Sequence, residues 1–533
     1  MGRILNVRRA TLLTAALILT CIGLVPLCLM IASSLRVDEG FSAKNYIDVF
    51  GNMRTWVLLG NSLVLAALSA AGAGALGITL GILIAKTDLP LGKTLAIIFS
   101  LPLLFPPYVL AIGWFEVLGR GGFLAQWGGA TWGETTSRWL FGLPGAVLVL
   151  ASAFLPIVLL LTIAYLRGVD PSLEEAARLS SRWPAVLKGV TIPLITPGIL
   201  LSLVLVFLLS VGEFGAPAFL RLSVFPVASF TQSSAFYNFG AATAAAVPLI
   251  ALVLSALLIS QRVLHNKQYS FRWAIQQDSP RIPLGRKTPP VLLAVFALTI
   301  ALVGIPLAGV FWRGASIAAL SDAVQRAGAS AFRSIIYAAV ASSVICVLGF
   351  LLAYVTHRRA LAGWWWLDAA TLFLFTVPGT VIGIGLITLW NRPSTNWIYS
   401  TPAILILGLV AQYAALGART ILAGFSQLPS SLEEAAELTG AKWFRRVFVI
   451  LVPLLRPAAL AAWAIAFIFC LRDLSLPLLL APPGGDTLTA RTMTLMANGS
   501  PELVAALSLL SIALAVVPFG LLGIAWRVWR GTA

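Results

Sequence analysis

The chain has 533 residues, of which 59% are hydrophobic and only 10% are charged. A soluble globule of this size could not bury so much apolar surface, so the composition excludes an ordinary soluble domain. The net charge of +17 at pH 7 is spread in clusters between apolar stretches. These clusters are interpreted as membrane-flanking loops, and no nucleic-acid partner is predicted.

Apolar runs of about 18 or more residues predict helices that cross a bilayer. About twelve such spans are predicted, and the first, which follows the basic stretch MGRILNVRRA, is expected to remain uncleaved because no small-residue cleavage site follows it. The spans run from Thr11 to Ala32, Val57 to Ala85, Thr94 to Val117, Gly145 to Leu166, Pro193 to Leu209, Gly240 to Ile259, Val291 to Phe311, Ile335 to Val355, Ala369 to Leu389, Ala403 to Leu422, Ala458 to Phe469 (extended on both sides) and Leu503 to Trp526.

Basic residues gather at both ends of the chain and in the loops after the even-numbered spans, for example at Arg8, Arg167, Arg358 and Arg446. By the positive-inside rule this side is the cytosol, so both termini are predicted to be cytosolic.

The four cysteines, Cys21, Cys28, Cys346 and Cys470, lie within or beside apolar spans. Their spacing gives neither a disulfide framework nor a metal site, so they are interpreted as small buried hydrophobic residues. The sequence also lacks a nucleophile–base constellation. We therefore predict no catalytic residue, no metal site and no cofactor.

A polar stretch occurs twice in the chain, as PSLEEAARLSSRWPAVLKGVTIPLITP at 171–197 and as SSLEEAAELTGAKWFRRVFVILVP from Ser430. The upstream segment NSLVLAAL from Asn61 likewise resembles RSIIYAAV from Arg333. The chain is therefore predicted to consist of two homologous halves. Their alignment pairs Glu174 with Glu433, Glu175 with Glu434, Ala176 with Ala435, Ala177 with Ala436, Pro193 with Pro453 and Glu213 with Asp473.

Each half has about six spans, so both halves point the same way across the membrane. The predicted fold is an all-α polytopic membrane protein of about 12 transmembrane helices in two parallel six-helix repeats. The expected division is 1–56 for the first span and an outer loop, 57–262 for half one with polar loop 1 at 171–197, 263–290 for a basic cytosolic linker, 291–328 for a span and outer loop of half two, and 329–528 for half two with polar loop 2 at 430–457.

Each polar loop is predicted to contain a short helix at the cytosolic surface. Ser172 with Glu175, and Ser431 with Glu434, have the spacing of a capping box at a helix start. Gly440 is expected to end the short helix of polar loop 2 in the left-handed conformation. A further helix is predicted from about Lys442, with an apolar face and a basic face: Trp443 and Val447 on the former, Arg445 and Arg446 on the latter.

The short helices allow two interpretations. Each could be an interfacial amphipathic helix whose glutamates only cap it. Alternatively, its Leu, two Ala and two Glu could form a ridge that seats in a groove of another protein. Duplication at matched positions favours docking, because a partner with two equivalent sites would require it.

The string EAAELTGAKWFRRVFVILVP resembles the EAA loop of ATP-binding-cassette importer permeases, a pattern of E-A-A, three residues, Gly, nine residues and I-x-x-P. Polar loop 2 fits at Glu434, Ala435, Ala436, Gly440, Ile450 and Pro453. Polar loop 1 has Ser181 in place of the glycine and is one residue shorter before Pro193.

The resemblance implies that the loops couple the membrane helices to a cytosolic ATPase homodimer. The coupling residues it implies are Glu174, Glu175, Ala176, Ala177, Ser181, Glu433, Glu434, Ala435, Ala436 and Gly440. The chain itself has no G-x-x-x-x-G-K-[ST] phosphate loop. It is therefore expected to be a permease and not an enzyme, with ATP hydrolysis on a separate subunit, in a bacterial inner membrane.

Two fused halves resemble ferric iron, thiamine, phosphonate and polyamine permeases. The strings LPLLFPPYVLAIGW from Leu101 and GEFGAPAFL from Gly212 are most similar to the ferric iron group. Ferric iron is thus the expected cargo, delivered by a periplasmic substrate-binding protein, with thiamine, polyamine or phosphonate as alternatives. A rival class is a twelve-span secondary transporter, since KTDLPLGK at 86–93 resembles a loop of such carriers, but that class leaves the duplicated polar loop unexplained.

Three charged residues at matched depth in the spans, Glu213, Arg472 and Asp473, are candidates for a translocation path. Charges inside a bilayer are costly and usually face a bundle interior or a wet cavity. The alternative is structural: Arg472 could pair with Asp473 or Glu213 and lock the halves together.

Overall fold

The computed structural model describes residues 2–37, 40–236, 239–265, 281–429 and 431–531. Within this part the chain is helical almost throughout, and its one strand pair joins Arg36–Val37 to Gly40–Phe41. The predicted all-α class is confirmed. Residues 266–280 of the predicted linker lie outside the described ranges.

Ten helices of the described ranges are long and apolar enough to cross a membrane, and two bent helix pairs raise the number to twelve. The predicted count of about 12 spans is confirmed. Half one contains α1 Arg8–Ser34, α2 Met53–Lys86, α3a Gly92–Ser100, α3b Pro107–Leu118, α4 Leu143–Arg167, α5 Trp183–Gly212 and α6 Phe239–His265. Half two contains α7 Gly285–Gly314, α8 Ile317–Arg358, α9a Trp364–Thr376, α9b Gly379–Trp390, α10 Ala403–Phe425, α11a Trp443–Leu454, α11b Arg456–Arg472 and α12 Pro501–Gly531.

Shorter helices join these spans. Two of them begin the polar loops, and we call Pro171–Arg178 loop helix 1 and Ser431–Leu438 loop helix 2. The others are Lys44–Phe50, Phe123–Gly128, Ala130–Leu140, Gly215–Phe219, Phe225–Ser234, Asn396–Tyr399, Ser475–Leu480 and Leu488–Met496.

The third span of each half is broken at a proline, where the sequence predicted continuous helices at 94–117 and 369–389. In half one, α3a passes into a 3-10 turn and α3b starts anew after Pro106. In half two, α9a and α9b meet at an angle of 108°, with Pro378 at the break. Proline lacks an N–H and its ring clashes with the carbonyl four residues earlier, so a helix cannot pass through these positions undisturbed.

Four other prolines follow wider helical turns, whereas Pro156, Pro197, Pro248 and Pro518 lie within regular α-helices. Four π-helical segments of the described residues each end two residues before a proline, so the carbonyl that the ring would strike lies in a loosened turn. The segments and their prolines are Thr20–Leu24 with Pro26, Leu187–Thr191 with Pro193, Ile300–Gly304 with Pro306, and Arg446–Leu451 with Pro453.

Each half is built on a close crossing of its second and fourth spans. Helix α2 packs along α4, and α8 packs along α10. A Cβ atom added to Gly349 of α8 would lie 2.6 Å from the carbonyl carbon of Gly417 in α10. Small residues therefore let the two backbones approach, which is the usual basis of helix association in a bilayer.

The first span of each half packs on the other half. Helix α1 contacts α9b, and α7 contacts α3b. A Cβ added to Gly113 of α3b would lie 2.2 Å from the Pro306 carbonyl oxygen, and one added to Gly385 of α9b would lie 3.2 Å from the Pro26 carbonyl. The exchange of first spans ties the halves into one unit.

Matched hydrogen bonds confirm the alignment of Asn61 with Arg333. The Asn61 amide donates to the Ser223 carbonyl at 3.0 Å, and Arg333 Nε donates to the Asp486 carbonyl at 3.1 Å. The following serines make matched bonds as well. Ser62 accepts the Phe225 N–H at 2.9 Å, and Ser334 accepts the Leu488 N–H at 2.7 Å, where each donor is the first residue of a short helix.

The α8–α10 crossing yields a stability prediction. Gly349→Ala should lower the free energy of unfolding by about 1–3 kcal/mol, because the added methyl meets backbone that cannot move aside. Gly60→Ala is the control, since nothing lies within 4 Å of a Cβ at that position of α2. It should be neutral or stabilising, because alanine favours a helix more than glycine. Thermal unfolding of the detergent-solubilised protein, followed by size-exclusion chromatography, measures both, and equal melting temperatures for the two variants would contradict the close crossing.

Candidate functional site: a central cavity and two polar loops

A polar cavity lies where the two halves meet. Its volume is about 80 Å³, room for a few water molecules. Both broken spans open onto it, and so do α4, α5, α10 and α11b. Its polar or break-forming lining residues are Pro106, Tyr108, Glu213, Thr376, Pro378, Gln412, Tyr413, Arg472, Asp473 and Ser475.

The two halves contribute unequally to this lining. Where half two has Tyr413 and Arg472, the alignment of the halves places Phe154 and Gly212 in half one, and all four residues line the cavity. The cavity is therefore polar mainly on the side of half two, although its frame is repeated.

The predicted path residues Glu213 and Asp473 lie at this cavity, and each also caps a short helix. Glu213 Oε1 accepts the Gly215 N–H at 3.1 Å, and Asp473 Oδ1 accepts the Leu476 N–H at 2.9 Å. Side-chain acceptors of this kind satisfy backbone donors that a helix start leaves free. The second oxygen of Asp473 accepts the Tyr413 hydroxyl at 2.6 Å.

Arg472 does not form an ion pair with Asp473 or Glu213, as the structural alternative required. Among the described residues, no carboxylate oxygen lies within 4.0 Å of the Arg472 guanidinium nitrogens. Instead Nη1 donates to the Leu103 carbonyl at 2.6 Å, and the guanidinium carbon lies 5.2 Å from the Phe469 ring centroid. Leu103 belongs to the break between α3a and α3b, where the last carbonyls of a helix lack partners within it. Arg472 thus joins half two to the broken span of half one.

Sequence reasoning missed Gln412 and Tyr413. The signal was available, because AQYAA places two polar side chains in the middle of the apolar stretch 403–422. Gln412 Oε1 is buried and has no hydrogen-bond partner among the described protein groups.

In polar loop 1, the predicted N-cap position, Ser172, is wrong by two residues. The N-cap of loop helix 1 is Asp170, whose side chain accepts the Ser172 N–H at 3.0 Å. Hydrogen bonds from the hydroxyl and the backbone of Ser172 hold the pKa of Asp170 below its usual value. Pro171 takes the first helical position, which suits a residue without an N–H. In loop 2, Ser431 is already the first helical residue, and position 430 lies outside the described residues.

The ends of the two loop helices differ as the sequence predicted. Gly440 has φ of +79°, and the Ala441 N–H reaches back to the Ala436 carbonyl at 3.1 Å. Such a bond closes a helix in the left-handed manner that glycine favours. Ser181 has no positive φ; its N–H bonds the Ala177 carbonyl at 3.0 Å.

The loop helices and their C-terminal ends expose matched residues: Leu179 directly follows loop helix 1, and Leu438 ends loop helix 2. Leu179 is 92% exposed and its counterpart Leu438 is 89% exposed. The second glutamate of each pair, Glu175 or Glu434, is also exposed, whereas the first, Glu174 or Glu433, is buried. Of the alanines, Ala176 and Ala435 are exposed and Ala177 and Ala436 are half-buried.

The helix after Lys442 begins as predicted, at Trp443, and Trp443 and Val447 are buried. The prediction that Arg446 lies on the exposed face with Arg445 is wrong. Arg446 is buried and pairs with Glu437 of loop helix 2. Ordinary helix geometry explains the difference: Arg446 follows Trp443 by three residues, which places it about 60° from Trp443 around the helix and on the same buried side, away from Arg445.

Two parallel helical repeats around a shared polar cavity define a duplicated multi-span membrane protein, of the kind whose halves enclose a transport path. The family described as "Binding-protein-dependent transport system inner membrane component" matches at residues 77–267 and 346–529. The chain therefore belongs to this family, and it is a multi-pass protein of the inner membrane and a permease component of a transport system. Membership rules out the secondary-transporter alternative.

Curated relatives give the comparison more detail. The ferric transport system permease protein FbpB 1 of Haemophilus influenzae is 28% identical over 74% of this chain, which spans only 64% of that relative's length. The Fe(3+)-transport system permease protein FbpB 2 of the same species is 25% identical over 89% of this chain and 90% of its own length. The molybdenum transport system permease protein ModB of Escherichia coli is 34% identical over 35% of this chain and 82% of its own length.

The contact between Tyr413 and Asp473 yields a second prediction. Tyr413→Phe introduces the residue that half one has at the matched position, but it removes a bond to a buried carboxylate. We expect a loss of about 1–3 kcal/mol in the free energy of unfolding. Because Asp473→Asn weakens the same bond, Tyr413→Phe should cost much less in that background. Melting temperatures of the two single variants and the double variant test this coupling, and simple additivity of their effects would contradict it.

Proposed function

We propose that this chain is the membrane permease of an importer powered by a separate ATP-binding-cassette ATPase. It passes ferric iron from a periplasmic binding protein to the cytosol. The observation that carries the proposal is the pair of loop helices. Each loop exposes a leucine, a glutamate and an alanine at matched positions, namely Leu179, Glu175 and Ala176 or Leu438, Glu434 and Ala435. The other exposed apolar side chains of the described residues lie mostly within the spans.

Two equivalent ridges fit a partner with two equivalent clefts, which is what a homodimeric ATPase would offer. Exposed apolar side chains flanked by charge are typical of a docking surface. In this proposal the coupling residues are those of the EAA pattern in both loops. The loops and both termini lie in the cytosol, where the positive-inside rule places them. The domain division 1–56, 57–262, 263–290, 291–328 and 329–528 belongs to the same proposal.

The proposed path runs through the central cavity, with Glu213, Arg472 and Asp473 in its wall. Ferric iron is favoured as cargo because relatives named for ferric transport align over most of the chain, whereas the molybdenum permease aligns over about a third. Thiamine, polyamine and phosphonate remain the alternative cargoes. Selection of the cargo would rest with the binding protein on the outer side.

The test is transport by the assembled complex. The permease, its ATPase and its binding protein are reconstituted in proteoliposomes, and uptake of ferric iron, thiamine, putrescine and a phosphonate is compared with and without ATP. ATP-dependent uptake of ferric iron alone supports the proposal. Uptake that runs on an ion gradient without the ATPase would overturn the class, and uptake of another cargo would overturn the choice of iron.

The path residues give a third prediction. Arg472→Ala leaves the Leu103 carbonyl without its charged hydrogen bond, so it should lower the free energy of unfolding by about 1–3 kcal/mol, and it should lower uptake about tenfold because the bond joins the two halves. Arg472→Lys is the conservative control and should retain more uptake. A reduced folded yield that Arg472→Ala with Glu213→Gln restores would instead identify Arg472 as a structural lock.

The different loop ends give a fourth prediction. Gly440→Val should cost about 1–2 kcal/mol locally, because a branched residue resists the left-handed conformation. It should tilt loop helix 2 and reduce the stimulation of ATP hydrolysis by loaded binding protein. Ser181→Ala should have little effect, and Gly440→Asn should retain coupling because asparagine tolerates this conformation. ATPase assays of the complex, with co-purification of the ATPase, measure all three. Equal losses from Gly440→Val and Ser181→Ala would show that the turn does not position the helix.

A further inference from the structure

The two adjacent glutamates at the start of each loop helix lie on different sides of it, one buried and one exposed. Glu174 is 0% exposed and Glu433 is 6% exposed, although each is followed directly by an exposed glutamate. Successive residues of a helix lie about 100° apart, so one acid of each pair faces the membrane helices while the other faces outward. The proposed docking uses only the outward one, and the buried one needs another explanation.

Each buried glutamate binds the last residue of a long span. Glu174 Oε2 lies 2.7 Å from Lys86 Nζ at the end of α2, and Glu433 Oε2 lies 2.7 Å from Arg358 Nη2 at the end of α8. Lys86 and Arg358 occupy matched positions in the alignment that pairs Asn61 with Arg333. The same contact is therefore made twice, once in each half.

The second carboxylate oxygen is also satisfied in both halves, but by different helices. Thr191 donates its hydroxyl to Glu174 at 2.7 Å, and Tyr354 donates its hydroxyl to Glu433 at 2.8 Å. The counterpart of Thr191 in half two is Leu451, and that of Tyr354 in half one is Ile82, neither of which can donate. The two halves thus reach the same fully bonded carboxylate by separate routes.

Stability alone does not account for this repetition, because a buried ion pair is often no more stabilising than apolar residues of the same volume. A carboxylate held at both oxygens does fix the rotation and distance of the helix that carries it. We infer that Glu174 and Glu433 are positioning residues, which fasten the loop helices to the ends of α2 and α8 and pass movement of the loops to those spans. This inference rests on the proposed function of the loops.

The fastened spans lead directly to the cavity. Helix α2 packs along α4 and α5, and α8 packs along α10 and α11b. These neighbours carry lining residues of the cavity: Phe154 on α4, Leu208 on α5, Tyr413 on α10 and Arg472 on α11b. A displacement of a loop helix therefore reaches the cavity wall through one intervening span.

The test uses the complete complex of permease, ATPase and binding protein. Glu433→Gln and Glu174→Gln keep the size of the side chain and remove its charge. Each should retain the ATPase subunit and hydrolysis without binding protein, yet lower both uptake and the stimulation of hydrolysis by loaded binding protein about tenfold. The matched controls are Glu434→Gln and Glu175→Gln, one residue along. They should weaken co-purification of the ATPase instead.

A second variant separates positioning from stability. Arg358→Met, Glu433→Leu and Tyr354→Phe together replace the pair and its hydroxyl donor by apolar residues, which should recover the melting temperature that Glu433→Gln loses. Stimulation by loaded binding protein should stay low, because none of these substitutions restores the directed bonds. Recovery of stimulation together with stability would show that the pair is only structural and would overturn the inference.

A mobility measurement reports on the loop helix directly. A spin label at Leu438→Cys, in a background without the four native cysteines, should become more mobile in Glu433→Gln but not in Glu434→Gln. A wild-type complex that fails to bind the ATPase or to respond to loaded binding protein would refute the proposed function. A wild-type complex that couples, with Glu433→Gln and Glu174→Gln coupling equally well, would refute only the inference about the buried glutamates.

Discussion

A chain that interrupts its helices inside a bilayer must still bond its exposed backbone N–H and C=O groups, because lipid offers no partner for them. This constraint explains the polar residues at the centre of the molecule. Arg472 bonds the Leu103 carbonyl where α3 breaks, and Glu213 and Asp473 cap the short helices that follow α5 and α11b. The same groups that make the breaks tolerable also make the cavity between the halves polar.

Comparison of the two halves separates the frame from the site. The frame is repeated: the broken third spans, the exchanged first spans, the π-helical segments before prolines and the buried glutamate at each loop. The cavity lining is not, since half two has Tyr413 and Arg472 where half one has Phe154 and Gly212. A duplicated frame suits the proposed two-fold partner at the loops, whereas the proposed cargo sets no two-fold requirement on the cavity, so the lining residues of the two halves can differ.

The features that sequence patterns predicted are those that local chemistry decides. Runs of apolar residues gave the spans, and the need for a left-handed residue gave the turn at Gly440. The break at Pro106 was not predictable in this way, because a proline in an apolar run is equally compatible with a kinked helix. Nor did the sequence distinguish Glu433 from Glu434: two neighbouring acids look alike until the end of α8 places Arg358 beside one of them. Arg446 was misplaced because the prediction grouped it with its neighbour Arg445, although a residue three positions after Trp443 lies on the same side of the helix as Trp443.

Helices α2 and α8 are well suited to carry a displacement across the membrane. They have 34 and 42 residues, so they are roughly 50 and 60 Å long at the α-helical rise and exceed the thickness of the hydrocarbon core. One end of each holds a loop helix through Lys86 or Arg358. Farther along each helix, 25 residues before Lys86 or Arg358, Asn61 or Arg333 bonds the backbone before the short helix at 225–234 or 488–496. Because both bonds are made by residues of the same helix, a tilt of that helix in the proposed coupling would move the loop helix and the distant short helix together.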